Sequence, residues 1–159
     1  MKLTPRYVTG IAEGEAAFTY SISGKCRVSL YFAIRLTHAD ELLLKKIQDF
    51  FGVGTIYHVK SKKSVKSSDY TQASEYYRVV NLDDLFVIIK HFDVYPIQGK
   101  KRRAYEIWKS IYFLQQEENV SQAILWRLVY ALSLLTTKNQ MSLMKKSFYQ
   151  FYEQNRQRS

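Results

Sequence analysis

The ten residues RVSLYFAIRL, from Arg27 to Leu36, alternate without a break. Val28, Leu30, Phe32, Ile34 and Leu36 fall on one side, and Arg27, Ser29, Tyr31, Ala33 and Arg35 on the other. A period of two describes a β-strand with one face buried and cannot serve a helix. The stretch before it, AFTYSIS, sets Phe18, Tyr20 and Ile22 against Ala17, Thr19, Ser21 and Ser23, and Gly24 with Lys25 supplies a turn signal between the two. The pair reads as a hairpin. Such a hairpin needs cover over its apolar side and leaves the other side open.

The rest of the chain supplies the cover. Thr4 and Pro5 start a helix, since threonine can cap free amides and the fixed φ of proline suits the first turn; that helix runs to about Glu15. A second helix fits Asp40 to Phe51, with Leu43, Leu44, Ile47, Phe50 and Phe51 on one stripe and Gly52 as its stop. Two more strands follow, Thr55 to Val59 and Glu75 to Val80, joined by KSKKSVKSSDYTQAS, a Lys/Ser-rich segment expected to be mobile. Asn81 caps a third helix, with Asp83 and Asp84 on its positive end. Further helices are predicted from about Lys100 to Leu114, Ser121 to Thr136 and Ser142 to Tyr152. The order αββαββα plus C-terminal helices predicts an α+β class fold: one antiparallel sheet with helices on its apolar face. Prolines are few and no Ser/Gly-rich linker interrupts the chain, so residues 1–159 read as a single domain.

Charge narrows the partners. With 24 Lys+Arg against 14 Asp+Glu the net charge is +10, yet 15% of residues are aromatic, which excludes a disordered basic tail. One cysteine, Cys26, cannot form an internal disulfide. No apolar run reaches the roughly 18–20 residues of a membrane span, and the N-terminus has neither a signal-peptide nor a transit-peptide pattern. The expectation is an intracellular protein, in prokaryotic cytoplasm or an organelle matrix and not secreted, with nucleic acid as the first partner.

The open face of the sheet specifies that partner further. It presents Thr19, Ser21, Ser23, Arg27, Ser29, Tyr31, Arg35, Tyr57, Tyr76 and Arg78, with no acid among them. Solvated faces mix both signs of charge; an acid-free face suits a polyanion. A twisted antiparallel ribbon enters the DNA major groove, where arginine reads guanine edges. Lys62 and Lys63 in the Lys60–Lys66 loop, and the GKKRR run at Gly99–Arg103, would add phosphate contacts.

Glu13 and Glu15 close the first helix, where carboxylates oppose the macrodipole at a cost of about 0.3–1 kcal/mol each. That cluster of oxygens becomes favourable once a hard cation such as Mg²⁺ binds. Gly10 and Gly14, four apart on one helix face, would let another backbone approach closely, by analogy with small-residue spacing in membrane helices.

The run YVTGIAEGEAAF, followed in order by two hairpins and by the FFGVG and YPIQGKK segments, resembles the LAGLIDADG homing endonuclease family from roughly Arg6 to Leu114. Gly10 and Gly14 match the motif's glycines, Glu13 its first acid and Glu15 its catalytic, metal-binding acid, while Ala16 stands where a further glycine is usual. The resemblance implies two such helices packed at a two-fold axis, each delivering one acid to one DNA strand, with saddle-shaped sheets in the major groove. No second motif is present, so the implied species is a homodimer with Gly10 and Gly14 at the contact and a pseudo-palindromic target. Mg²⁺ or another divalent cation would bridge Glu15, the Gly14 carbonyl and the scissile phosphates. The family's basic active-site residue falls on Lys100 or Lys101, and its peripheral glutamine has no counterpart, Ala33, Arg35 and Leu36 occupying that neighbourhood.

His38, His58 and His91 have no ligand spacing and are expected in solvent or at an interface, and Cys26 is expected to be an incidental thiol. The function expected is site-specific double-strand DNA cleavage by an intron-encoded enzyme. An RNA-splicing maturase or a DNA-binding regulator on the same fold is the alternative, with RNA as its possible partner. Retention of Glu15 favours the nuclease, because a pure binder gains nothing from an acid against phosphates. A peripheral membrane-binding domain would need a basic amphipathic helix with exposed aromatics, which is missing.

Overall fold

The computed structural model describes residues 2–24, 27–60 and 73–136, with residues 62–63 and 70–71 described through their backbone. The elements are α1 (Pro5–Glu15), β1 (Ala16–Ser23), β2 (Arg27–Thr37), a 3₁₀ turn (His38–Asp40), α2 (Glu41–Phe51), β3 (Thr55–Val59), β4 (Lys62–Lys63), β5 (Tyr70–Thr71), β6 (Ser74–Val79), α3 (Leu82–Val94), α4 (Lys101–Leu114) and α5 (Gln122–Ser133). Four strands form one sheet in the order β1-β2-β6-β3, and β4 pairs with β5 in a second. The α+β expectation holds. Lys25, Cys26 and the helix expected over Ser142–Tyr152 lie outside the described residues.

The lysine-rich connection carries a short ladder that its composition does not announce. Within it Lys62 pairs antiparallel with Thr71 and Lys63 with Tyr70. The strands it joins, β3 and β6, are themselves antiparallel neighbours, so pairing recurs along their connection in spite of its composition.

The described residues gather into two compact units. The first runs to Phe18 and resumes over Tyr31–Gly99. Its α1 begins as the sequence dictates: the Tyr7 amide donates to the Thr4 side chain at 3.3 Å and Pro5 occupies the first turn. Its core is aromatic, with Phe18, Phe32 and Phe92 mutually in ring contact and Phe51 edge-on to Phe32. At the end of α2, Gly52 takes φ +70°, the left-handed cap that glycine adopts at least cost. Gly54 is more constrained. It sits at φ +83°, and a Cβ there would lie 2.8 Å from Tyr77 and Val79 side-chain carbons and 2.9 Å from the Arg78 carbonyl. The neighbours that crowd it are anchored, since the Tyr77 hydroxyl donates to the Val53 carbonyl and Gln48 donates to Gly54, both at 2.8 Å.

The second unit comprises Thr19–Leu30 and the chain from Lys100 onward. There α4 lies against the hairpin backbone: Trp108 Nε1 donates to the Thr19 carbonyl at 3.1 Å and Gln115 Nε2 to the Val28 carbonyl at 3.0 Å. Trp108, Ile111, Trp126, Val129 and Leu132 are buried, and Ser121 caps α5 by accepting from the Ile124 amide.

Candidate nucleic-acid interface and acidic helix end

Register places the open face. Arg35, Tyr76 and Tyr57 are cross-strand partners in one row over β2, β6 and β3, and Ala33, Arg78 and Thr55 form the next row. No acidic side chain shares these rows among the described residues. Arg35 and Tyr57 are exposed, and Tyr31, Tyr76 and Arg78 are half-buried. The Arg78 guanidinium lies 3.9 Å over the Tyr31 ring, and Arg35 Nε donates to the Ser74 hydroxyl at 2.9 Å. Both arginines are thereby oriented while keeping donors for an outside acceptor. Burial, then the neighbouring Tyr31 hydroxyl, pushes the Tyr76 phenol up to about 12, so it stays a neutral donor. Thr55, exposed opposite Arg78, belongs to the same surface; its period-two spacing from Tyr57 could have revealed it.

In the second unit Ser21, Ser23, Arg27 and Ser29 are exposed, with the Ser21 hydroxyl directed at the Ser29 carbonyl at 3.5 Å. Thr19 departs from expectation: it is 4% exposed. Alternation fixes the side to which a residue points, not how much of that side its neighbours cover. Lys62 and Lys63 have backbone positions in β4, and their side chains lie outside the described residues.

The two acids of α1 part company. The Glu13 carboxylate turns back onto the chain, accepting from the Gln98 amide and from the Gly99 amide at 3.0 and 3.1 Å. It is a tether for the Gln98–Gly99 turn, with which it neutralises two otherwise open donors. Glu15 is the last residue of the helix, exposed, and has no hydrogen bond or ion pair to another described residue. Gly10 and Gly14 are exposed, and a Cβ on either would meet nothing within 4 Å among the described residues. Lys100 and Lys101 follow directly on the tethered turn, Lys100 exposed and Lys101 opening α4.

Of the three histidines, His38 and His58 are exposed as expected and His91 is not. His91 is half-buried: the Thr9 hydroxyl donates to the Tyr95 carbonyl at 3.1 Å and therefore receives from His91 Nε2, also at 3.1 Å. Burial lowers His91 to about 4, so the ring is neutral at pH 7. His38 and His58 converge on Glu75, which register sets directly opposite His58. The pairing could have been found by noticing that Glu75 shares the parity of buried Tyr77 and Val79.

Comparison with known proteins gives first a fold and then a family. The crystal structure of the homing endonuclease I-TnaI superposes with a TM-score of 0.77 over 94% of this chain and 99% of that one, at 18% identity. The LAGLIDADG meganuclease I-AabMI, solved bound to uncleaved DNA, is 29% identical with a TM-score of 0.69, over 88% of this chain and 48% of that one. The fold is therefore the α+β LAGLIDADG fold, with its four-stranded antiparallel sheet. The sequence model of the LAGLIDADG endonuclease family matches residues 8–112, and the chain belongs to that family. A Neurospora crassa protein described as a probable intron-encoded endonuclease is 34% identical over 104 residues, 65% of this chain and 21% of that protein. The chain spans a fifth to a quarter of the length of the curated relatives it matches. No helix among the described residues is long and apolar enough to cross a membrane.

Proposed function

We propose that this chain is a site-specific, divalent-metal-dependent DNA endonuclease of the intron-homing kind, acting as a homodimer on a pseudo-palindromic duplex. The observation that carries it is the exposed face of α1: two glycines whose added Cβ would meet nothing within 4 Å among the described residues, ending in a carboxylate without a partner among those residues. Glycine inside a helix costs about 0.5–1 kcal/mol relative to alanine. A backbone approaching from outside at Gly10 and Gly14 offsets that cost, and it brings two copies of Glu15 to one duplex. The DNA-bound I-AabMI chain supports the two-fold reading, because this chain matches 48% of it. The intron-encoded description of the Neurospora relative supports the homing role.

The donor set suits Mg²⁺: a free carboxylate, with the carbonyl of Gly14 beside it at a helix end of negative potential. Bound there, a divalent cation would activate water and stabilise the leaving oxygen of the phosphodiester. Glu15 holds that charge in place. Lys100 or Lys101 supplies the basic group, and Arg27, Arg35 and Arg78 read bases while Ser21, Ser23, Ser29, Tyr31, Tyr57 and Tyr76 meet base edges and phosphates. Lys62 and Lys63 add phosphate contacts. Thr19, being buried, supports the hairpin and does not touch DNA. Residues 1–159 act as one endonuclease domain, since the family match runs across parts of both units.

The test is incubation with a plasmid library of candidate sites, with Mg²⁺ and with EDTA. Wild type cuts a small set of sites in Mg²⁺ only. Glu15→Gln, which removes the anion at nearly constant volume, abolishes cutting and retains binding to the same sites. Cutting by Glu15→Gln at a rate near wild type would overturn the assignment.

A further inference from the structure

Glu75 is a carboxylate where the fold provides for an apolar residue. Its strand neighbours of the same parity, Tyr77 and Val79, belong to the core, and Glu75 itself is 2% exposed. A buried anion needs a strong cationic or hydrogen-bonded environment. Here each oxygen faces an imidazole: Oε1 lies 2.7 Å from His38 Nδ1 and Oε2 lies 2.5 Å from His58 Nδ1. The second approach is close in distance but off hydrogen-bond direction, so Oε2 has no aligned donor. Three chain segments build this group. His58 on β3 pairs across the ladder with Glu75 on β6, and His38 follows β2, its amide donating to the Ala73 carbonyl at 3.3 Å. Ligand atoms of His38, Glu75 and Glu41, the first residue of α2, lie within 4.8 Å of one another, and His58 joins this triad through its approach to Glu75.

We propose that His38, Glu41 and Glu75, with His58 as the fourth side chain, form a binding site for Zn²⁺, distinct in residues and chemistry from the Glu15 helix end. Two imidazole nitrogens with two carboxylates are a donor set for a borderline transition dication, whereas Mg²⁺ takes oxygen alone. A tetrahedral ion with bonds of about 2.0–2.1 Å separates its donor atoms by about 3.3 Å. The two nitrogen–oxygen distances must therefore widen by roughly 0.6–0.8 Å to admit it. That movement is available, because the His38 and His58 side chains are 65% and 63% exposed while Glu75 stays fixed. Glu41 is held at 2.6 Å by Lys45, an exposed helix pair that contributes little and yields readily. Bound, the ion joins β3, β6 and the start of α2, and it supplies the charge that the buried carboxylate calls for.

The measurement is Zn²⁺ titration of the chelator-stripped 159-residue chain by calorimetry, with melting temperature followed in parallel. One ion binds per chain at micromolar or lower concentration and raises the melting temperature, and Mg²⁺ at the same concentration does neither. His38→Ala and His58→Ala each weaken binding at least roughly tenfold, the loss that removal of even an outer-shell partner produces. Glu15→Gln retains full stoichiometry, which separates this site from the helix end. Since an alanine variant could unfold, His58→Gln serves as a second variant, and circular dichroism of each stripped variant establishes that it is folded. Absence of stoichiometric Zn²⁺ binding by wild type overturns the proposal; so does unchanged affinity in a folded His38→Ala/His58→Ala double variant. Either result leaves the two histidines as side-chain neighbours of Glu75 without an ion.

Discussion

At the scale of single residues, the helix end that carries Glu13 and Glu15 separates what a sequence can reveal from what it cannot. Both acids look equivalent on paper, each set against the macrodipole. The difference comes from Gln98 and Gly99, whose amides reach Glu13 across 85 and 86 positions of sequence. Local spacing contains no record of which distant segment returns, so the tethering role was invisible and the exposure of Glu15 was not. The histidines follow the same logic. His38 has Glu41 three residues on and His58 has no such neighbour, and it takes the folded sheet to bring both histidines to Glu75. His91 yields a prediction. Its pKa falls from 6.5 in the unfolded chain to about 4 on folding, because burial penalises the charged ring. The unfolded state therefore binds more protons between those values, and stability falls as pH drops through that window. His38 acts oppositely: its hydrogen bond to Glu75, then the charge of Glu75, raises its pKa, so its contribution is present below 6.5 and lost as pH rises through the folded value. Urea midpoints of wild type and His91→Gln, measured from pH 7.5 to 4.5, isolate the His91 part. The gap between the two proteins shifts in favour of the variant on the acid side; parallel curves would mean that His91 titrates normally.

At the scale of elements, most of the fold was legible. Period-two patterning placed β1 and β2, the caps at Thr4 and Asn81 opened α1 and α3 where expected, and α5 begins after Ser121, the expected start of its helix. These signals are local, and local chemistry decides where an element begins and which face it buries. The short β4–β5 ladder escaped because its composition argues against strands while its position between two antiparallel neighbours argues for them. Thr19 escaped for a related reason, since cover comes from the neighbours and not from the residue. The turn from α2 into β3 offers a test of how much each glycine contributes. Gly52 and Gly54 both have positive φ, but only Gly54 is crowded. Gly52→Ala costs about 1–2 kcal/mol for the left-handed backbone alone. Gly54→Ala adds about 1–3 kcal/mol of overpacking against Tyr77, Val79 and the Arg78 carbonyl. Denaturant unfolding of the two variants ranks them; equal losses would show that β6 gives way to the added methyl.

At the scale of the whole molecule, assembly is the property to measure. Sedimentation of wild type with and without target DNA is expected to give a two-fold species, and Gly10→Leu or Gly14→Leu to give monomers that remain folded, because a Cβ at either position has open space around it among the described residues. A strict monomer under every condition would sink the two-fold model. That same open space has a consequence for the balance between folding and self-association. Gly10→Ala improves the helix by about 0.5–1 kcal/mol in the lone chain. Under the proposed pairing it also weakens the contact between copies, whose contribution grows with protein concentration by mass action. The two effects scale differently, so the thermal ranking of wild type and variant depends on dilution. In dilute solution the alanine protein melts later; when concentrated, the glycine protein overtakes it. The concentration at which the curves cross reads out how strongly two helices hold together, from melting alone and without any substrate.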